Sequence, residues 1–314
     1  MEWSASDDGS VVPPTGITDG DGIATAVWTL GSANGEQRAS AASGDSLRAV
    51  FAATANVVRP DVALTPLTLT TPDGSGQTVH PDYVAMPAAW ISAGQYLAIT
   101  PYPGGNANYE NPSLYTSSDD IAWAAPAGVH NPVVLPTRGY LSDPDVVYNP
   151  EHNELWLYFR AVDDRNEIRL MRSTDGVHFT QPVTVASGLN HVIVSPTVVR
   201  RGTNDWLMWS VNSNVGCTAS TTTVELRRST NGVDWSAPRT VSLSQPGYSV
   251  WHIEVQWVPS RQEYWALYNG KTAGSCTTPA LFLATSADGE TWKTFPSPVL
   301  AHGVIREFED IVYR

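Results

Sequence analysis

The sequence predicts an all-β chain, most of it a ring of repeated sheets. Three observations carry that expectation: helical periodicity is missing, apolar runs are short and bounded by turn residues, and two sets of motifs recur at a nearly constant interval. No run of 11 or more residues sets apolar side chains at i, i+3, i+4 and i+7 among good helix formers. Short apolar or alternating runs stand instead at residues 25–30, 47–53, 95–100, 155–160, 206–211, 264–268 and 280–284. Gly, Pro, Asn and Asp flank them, as they flank strands.

The repeat is the strongest signal. Ser117-Ser118-Asp119-Asp120-Ile121-Ala122-Trp123, Ser173-Thr174-Asp175-Gly176-Val177-His178-Phe179, Ser229-Thr230-Asn231-Gly232-Val233-Asp234-Trp235 and Ser286-Ala287-Asp288-Gly289-Glu290-Thr291-Trp292 share one form and lie 56, 56 and 57 residues apart. In phase with them run His80-Pro81-Asp82, Asp143-Pro144-Asp145, Ser195-Pro196-Thr197, His252-Ile253-Glu254 and Glu309-Asp310-Ile311. A repeat of this length has room for about four strands, the content of one propeller blade. The expected architecture is therefore a five-bladed β-propeller over residues 75–314, with blades starting near 80, 143, 195, 252 and 309 and the fifth blade truncated. The chain is accordingly expected to be a piece of a longer protein. Within each Ser-x-Asp turn the Asp or Asn caps a tight hairpin, Gly supplies positive φ, and the aromatic wedges between sheets.

The turn segments resemble the Asp-box of sialidases and related propellers. Residues 1–56 have a different texture: residues 22–31, 35–39 and 48–55 resemble the C-terminal half of a bacterial immunoglobulin-like repeat. That implies a partial β-sandwich segment, followed by a linker over 57–74 that carries Pro60 and Pro66.

Composition narrows the function. A formal charge of −13 disfavours nucleic acid and anionic membrane surfaces, which need clustered Lys and Arg. Twelve Trp and twelve Tyr beside only 16% charged residues suit neutral polar ligands such as sugars. No stretch approaches the roughly 18–20 apolar residues of a membrane span, and residues 1–8 lack the basic and apolar regions of a signal peptide.

Side chains at the first residues of inner propeller strands line a shared funnel. The in-phase series brings carboxylates there from separate blades, which is what glycosidic cleavage requires: one acid and one base or nucleophile. His80-Pro81-Asp82 and Ser142-Asp143-Pro144-Asp145 are similar to motifs of the arabinanase, xylosidase and invertase group of five-bladed glycoside hydrolases. That resemblance implies Asp82 as base or nucleophile and Asp145 as the residue that tunes the acid. The group's acid is a third-blade Glu, where this chain has Ser195-Pro196-Thr197, so Glu254 of the fourth blade is the expected acid. Asp143, flanking Pro144, could face the axis equally well.

The loops joining second to third strands open on the same face. Tyr102, Glu110 and Asn111 in the first, Arg160 in the second blade, and His80, Trp251 and His252 at strand starts form the expected substrate-binding set. A carbohydrate substrate is expected, with no nucleic-acid partner, a monomeric state and a secreted or surface-bound bacterial setting. Cys217 and Cys276 fall in corresponding loops of neighbouring blades and are expected to pair, as extracytoplasmic cysteines do. No Cys/His cluster has zinc spacing, so no cofactor or metal is expected, although some propeller glycosidases hold an axial calcium. Two rival readings remain: sialidase-type exo-hydrolysis, which needs an arginine cluster, and a non-catalytic glycan-binding or adhesin propeller.

Overall fold

The computed structural model describes residues 1–6, 9–31, 35–44, 47–55, 67–90, 94–275 and 279–300. Nearly everything regular in them is β-strand; the exceptions are two short 3-10 turns, Pro103–Gly105 and Ala107–Tyr109. The chain divides into two units, Met1–Leu64 and Thr65–Arg314.

The first unit holds two small antiparallel sheets. Strands β1 (Glu2–Ala5), β4 (Gly35–Ser43) and β5 (Leu47–Ala55) form one; β2 (Ser10–Val12) and β3 (Val27–Thr29) form the other. The alternation in β4 buries Gln37, Ala39 and Ala41 on one face, and the Gln37 amide bonds both backbone groups of Gly31.

The second unit is a β-propeller, and four of its sheets lie among the described residues. The first contains β6 (Thr78–Ala85), β7 (Gln95–Pro101) and β8 (Ser113–Ser117), with a single bridge from Thr116 to Ala124 in place of a fourth strand. The second contains β9 (Tyr140–Asn149), β10 (Glu154–Val162), β11 (Asn166–Ser173) and β12 (Val183–Gly188). The third runs from β13 (Val194–Gly202) through β14 (Asp205–Asn212) and β15 (Thr223–Ser229) to β16 (Arg239–Thr240). The fourth has β17 (Ser249–Val258), β18 (Glu263–Lys271), β19 (Ala280–Ser286) and β20 (Lys293–Thr294). Inner strands β6, β9, β13 and β17 pack side by side in that order. The fifth inner strand expected near 309 lies outside the described residues, as does most of the expected linker. The end of that linker is not a linker in structure: Leu69 is buried against Leu97, Ile99 and Tyr115 of the first sheet, because an apolar side chain there has a sheet face to cover.

The apolar core lies between sheets. Trp156 and Tyr158 of the second sheet pack on Trp206 and Met208 of the third, and the Trp156 and Trp206 rings stack with centroids 5.0 Å apart. Trp209 of the third packs on Tyr264 and Trp292 of the fourth.

The repeated turns lock these interfaces. In each, the Asp or Asn carboxyl or amide oxygen accepts two backbone N–H groups ahead of it, as Asp175 does from Val177 and His178. The turn glycine then meets the sheet before it. The Tyr158 hydroxyl donates to the Gly232 carbonyl, and the Trp209 indole donates to the Gly289 carbonyl. Gly232 has φ +72°, and a Cβ there would lie 2.7 Å from the Trp156 ring. Both conditions exclude a side chain.

Candidate active site

The inner strands carry the site because each is interrupted near its start. A proline removes a ladder donor at Pro81, Pro144 and Pro196, and the pairing with the second strand breaks there. The preceding residues His80, Asp143 and Ser195 adopt φ of 54°, 48° and 50°, a left-handed conformation that costs about 1–3 kcal/mol each and persists only where surroundings enforce it. The bulge brings residues on both sides of the proline to the axis, in two layers. His80, Asp143, Ser195 and His252 form the layer nearer the mouth. Asp82, Asp145, Thr197 and Glu254 form the deeper one. The mouth is the end that bears the loop over 102–112, since β6 pairs Thr78 with Pro101 at the start of that loop.

The deeper layer clamps neighbouring sheets together. Asp82 Oδ2 accepts the Val146 N–H at 2.5 Å, Asp145 Oδ2 accepts the Val198 N–H at 2.9 Å, and Thr197 Oγ1 accepts the Val255 N–H at 3.1 Å. Each bond runs from one inner strand to the next and satisfies an amide on the free edge of a sheet, where no further strand pairs with it. The clamp needs an acceptor, not a charge, so the threonine of the third sheet serves it as well as the aspartates of the first two. Glu254 accepts from the Thr197 hydroxyl at 3.1 Å. Donor oxygens of Asp82, Asp145 and Glu254 lie within 4.8 Å of one another. Burial pushes the Asp82 carboxyl up to about 7, and burial together with the Asp82 charge pushes Asp145 well above the carboxylate range.

The outer layer differs in kind. His80 Nδ1 lies 3.0 Å and His252 Nδ1 3.7 Å from Asp143 Oδ1, and the two imidazoles are in contact with centroids 4.5 Å apart and planes tilted by 52°. Asp143 Oδ2 accepts from Arg160 Nη1 at 2.6 Å and from the Ser195 N–H at 3.2 Å. Burial opposes the Asp143 charge, yet His80, Arg160 and His252 outweigh it and hold the carboxyl well below its usual range. His80 Nε2 is 3.5 Å from Glu110 Oε2, and that same oxygen accepts from the Ser142 hydroxyl. His80, Glu110, Asp143, Arg160 and His252 are all buried.

Donor atoms of His80, Asp143 and His252 lie within 4.8 Å of one another. Two imidazoles and one carboxylate are the donor set of a zinc-type divalent ion. Asp143 Oδ1 receives no hydrogen bond, because Arg160 and the Ser195 amide occupy the other oxygen and leave this one turned toward both imidazoles. The residues therefore fit a metal, with Arg160 acting behind the ligand as such outer partners do. No metal was expected from the sequence, since these donors lie 63 and 109 residues apart along the chain.

The remaining expected residues are distributed around this layer. Trp251 packs edge-on against His252 at 5.1 Å. The Asn111 side chain is buried and donates to the Tyr109 carbonyl. Tyr102 is half-buried at the start of the same loop. Cys217 is disulfide-bonded; Cys276, its expected partner, lies outside the described residues, as do Glu309 and Asp310. Ser142, Tyr140 and His191 were not foreseen. Ser142 stood in the quoted motif beside two aspartates that drew the attention. Tyr140 opens β9 and His191 precedes β13, where no periodicity marks a residue.

No family model matches the chain. It is 29% identical over 286 residues to an A type blood N-acetyl-α-D-galactosamine deacetylase of Flavonifractor plautii, covering 76% of this chain and 37% of the relative. The chain thus spans little more than a third of that protein. Its fold matches the crystal structure of an N-acetylgalactosamine deacetylase from F. plautii in complex with blood group B trisaccharide, with a TM-score of 0.68 and 27% identity, over 73% of this chain and 71% of that one. An α-L-arabinofuranosidase of Fusarium graminearum in complex with arabinobiose shares the fold alone, with a TM-score of 0.52 and 14% identity over 73% and 69% of the two chains.

Proposed function

We propose that this chain is the catalytic part of a secreted carbohydrate-active enzyme that removes the acetyl group from an N-acetylhexosamine on a glycan, with a divalent metal at His80, Asp143 and His252. The observation that carries the reading is this donor set at the mouth of the axis, in a chain similar to an N-acetylgalactosamine deacetylase. The reaction is amide hydrolysis: water adds to the acetyl carbon, the C–N bond breaks, and acetate and the sugar amine leave.

A bound divalent ion supplies Lewis-acid polarisation and a lowered pKa for water. Glu110 is the base in this reading, since its carboxylate sits beside His80 at the mouth and is oriented by Ser142. Arg160 holds Asp143 ionised and fixes its rotamer. The tyrosines of the loop over 102–112 offer a surface for the sugar ring, with Tyr109 half exposed there. The disulfide at Cys217 supports an oxidising, extracytoplasmic setting.

Glycosidic cleavage by Asp82, Asp145 and Glu254 is the second reading, favoured by their convergence and by the raised Asp82 carboxyl. It is the weaker one, because Asp82 and Asp145 already hold backbone amides of the next sheet and lie beneath the outer layer. The test is zinc binding measured beside acetate release. The wild-type chain should bind one equivalent of zinc and release acetate from an N-acetylgalactosaminide, and His252→Ala should lose both. Full acetate release by His252→Ala, or by chelator-treated wild type, would overturn the metal assignment.

A further inference from the structure

We infer that His191 is a substrate-contacting residue on the third-sheet side of the mouth, giving a hydrogen bond to the N-acetyl sugar. The inference rests on the deacetylase reading for the identity of the ligand, and on four separate observations for the residue.

His191 lies in the connection from β12 to β13, four residues before Ser195 of the outer layer. Its backbone is pinned in an unusual shape. The φ is +61°, and the carbonyl accepts from the Ser213 N–H at 3.0 Å, the Asn214 N–H at 3.2 Å and the Ser213 hydroxyl at 3.3 Å. A left-handed histidine held by three donors is strain kept in place by its surroundings, the pattern found at ligand clamps.

The imidazole is positioned as firmly. Gly216 has φ +84°, and a Cβ there would come within 3.3–3.4 Å of three ring atoms. The Gly216 N–H is itself fixed by the Ser213 hydroxyl at 3.2 Å, and the adjacent Cys217 is disulfide-bonded. The loop from β14 to β15 thus forms a bed for this ring. His191 Nδ1 is nonetheless buried with no hydrogen-bond partner among the described residues; such an atom calls for an explanation, and a sugar group seated on this side of the mouth supplies one. Burial first, and Arg160 second, lower the His191 pKa, so the ring meets a neutral sugar as a neutral imidazole. That state suits hydroxyl and amide groups, which need both a donor and an acceptor.

The test compares wild type, His191→Ala, His191→Gln and Gly216→Ala in the full chain loaded with zinc. Acetate release from an N-acetylgalactosaminide and equilibrium binding of free N-acetylgalactosamine are both measured. Loss of one hydrogen bond to the ligand lowers kcat/KM and sugar affinity about 10- to 30-fold in His191→Ala. His191→Gln should recover about a third of that loss on a logarithmic scale, since an amide restores a donor and an acceptor. Gly216→Ala, which displaces the ring without removing it, should fall between them. Zinc stoichiometry and Tm should stay at wild-type values in both His191 variants. Wild-type affinity and kcat/KM in His191→Ala would overturn the inference, and so would a loss matched by a fall in zinc content or Tm. A wild-type chain that binds the sugar but releases no acetate would refute the deacetylase reading alone; loss of sugar binding in His191→Ala would still stand for His191.

Discussion

Replacing Asp82 by asparagine separates a clamp from a catalyst. Asp82 accepts the Val146 N–H across the interface between the first two sheets and is buried beside Asp145. Its carboxyl rises from an ordinary 3.8 to about 7 on folding. The sign follows directly: the unfolded chain ionises first, so the folded state loses stability as pH climbs from about 4 through about 7, and the loss levels off above that. At about 1.4 kcal/mol per pH unit this amounts to about 4 kcal/mol at most. Asparagine cannot ionise, keeps an oxygen for the Val146 amide, and offers its NH2 to the unpaired Asp145 Oδ1. Urea unfolding of both proteins between about pH 4 and pH 8 reads the difference. Asp82→Asn should gain stability relative to wild type across this window by up to about 4 kcal/mol, while acetate release falls no more than about threefold. The Asp143 carboxyl, held low, works the opposite way and loses its contribution on acidification, but equally in both proteins. Parallel stability profiles would exclude an ionisable clamp at Asp82, and a folded Asp82→Asn with no activity would make Asp82 a catalyst.

Other expected outcomes follow from the same contacts. Thr197→Val leaves the buried Val255 amide unpaired and should cost about 1–3 kcal/mol in urea unfolding, with zinc binding intact. Gly232→Ala forces a Cβ to 2.7 Å from the Trp156 ring at positive φ and should cost about 2–4 kcal/mol, seen as a lower Tm. Arg160→Met removes the bond to Asp143 Oδ2 and should weaken zinc binding about 10- to 100-fold by calorimetry, without abolishing it.

Much of the fold was legible because a repeat amplifies weak signals. One Ser-x-Asp/Asn turn says little, but four in phase describe a structure whose sheets each pack on the one before. The axis was legible too, since His80, Asp82, Asp143, Asp145, His252 and Glu254 all converge on it. What the sequence obscured was the division of labour between the two layers. The in-phase positions Asp82, Asp145 and Thr197 repeat because every sheet needs an acceptor for the next inner strand, so their periodicity reports architecture. The proposed metal site sits where the repeat breaks: His80, Asp143, Ser195 and His252 occupy equivalent places and share no chemistry among all four. Glu110 was recognised only as a loop residue able to meet sugar hydroxyls, because its tie to His80 joins distant parts of one sheet and its tie to Ser142 crosses to the next. His191 carried no signal at all, since a turn that holds a ring against a glycine is visible only in three dimensions.

Product analysis on a glycan ending in N-acetylgalactosamine, incubated with the zinc-loaded chain, distinguishes deacetylation from glycosidic cleavage. Metal-dependent deacetylation yields acetate and a free sugar amine in equal amounts, on a glycan of unchanged length. A shortened glycan with its acetyl group still attached would contradict it and return the chemistry to the carboxylates of the deeper layer.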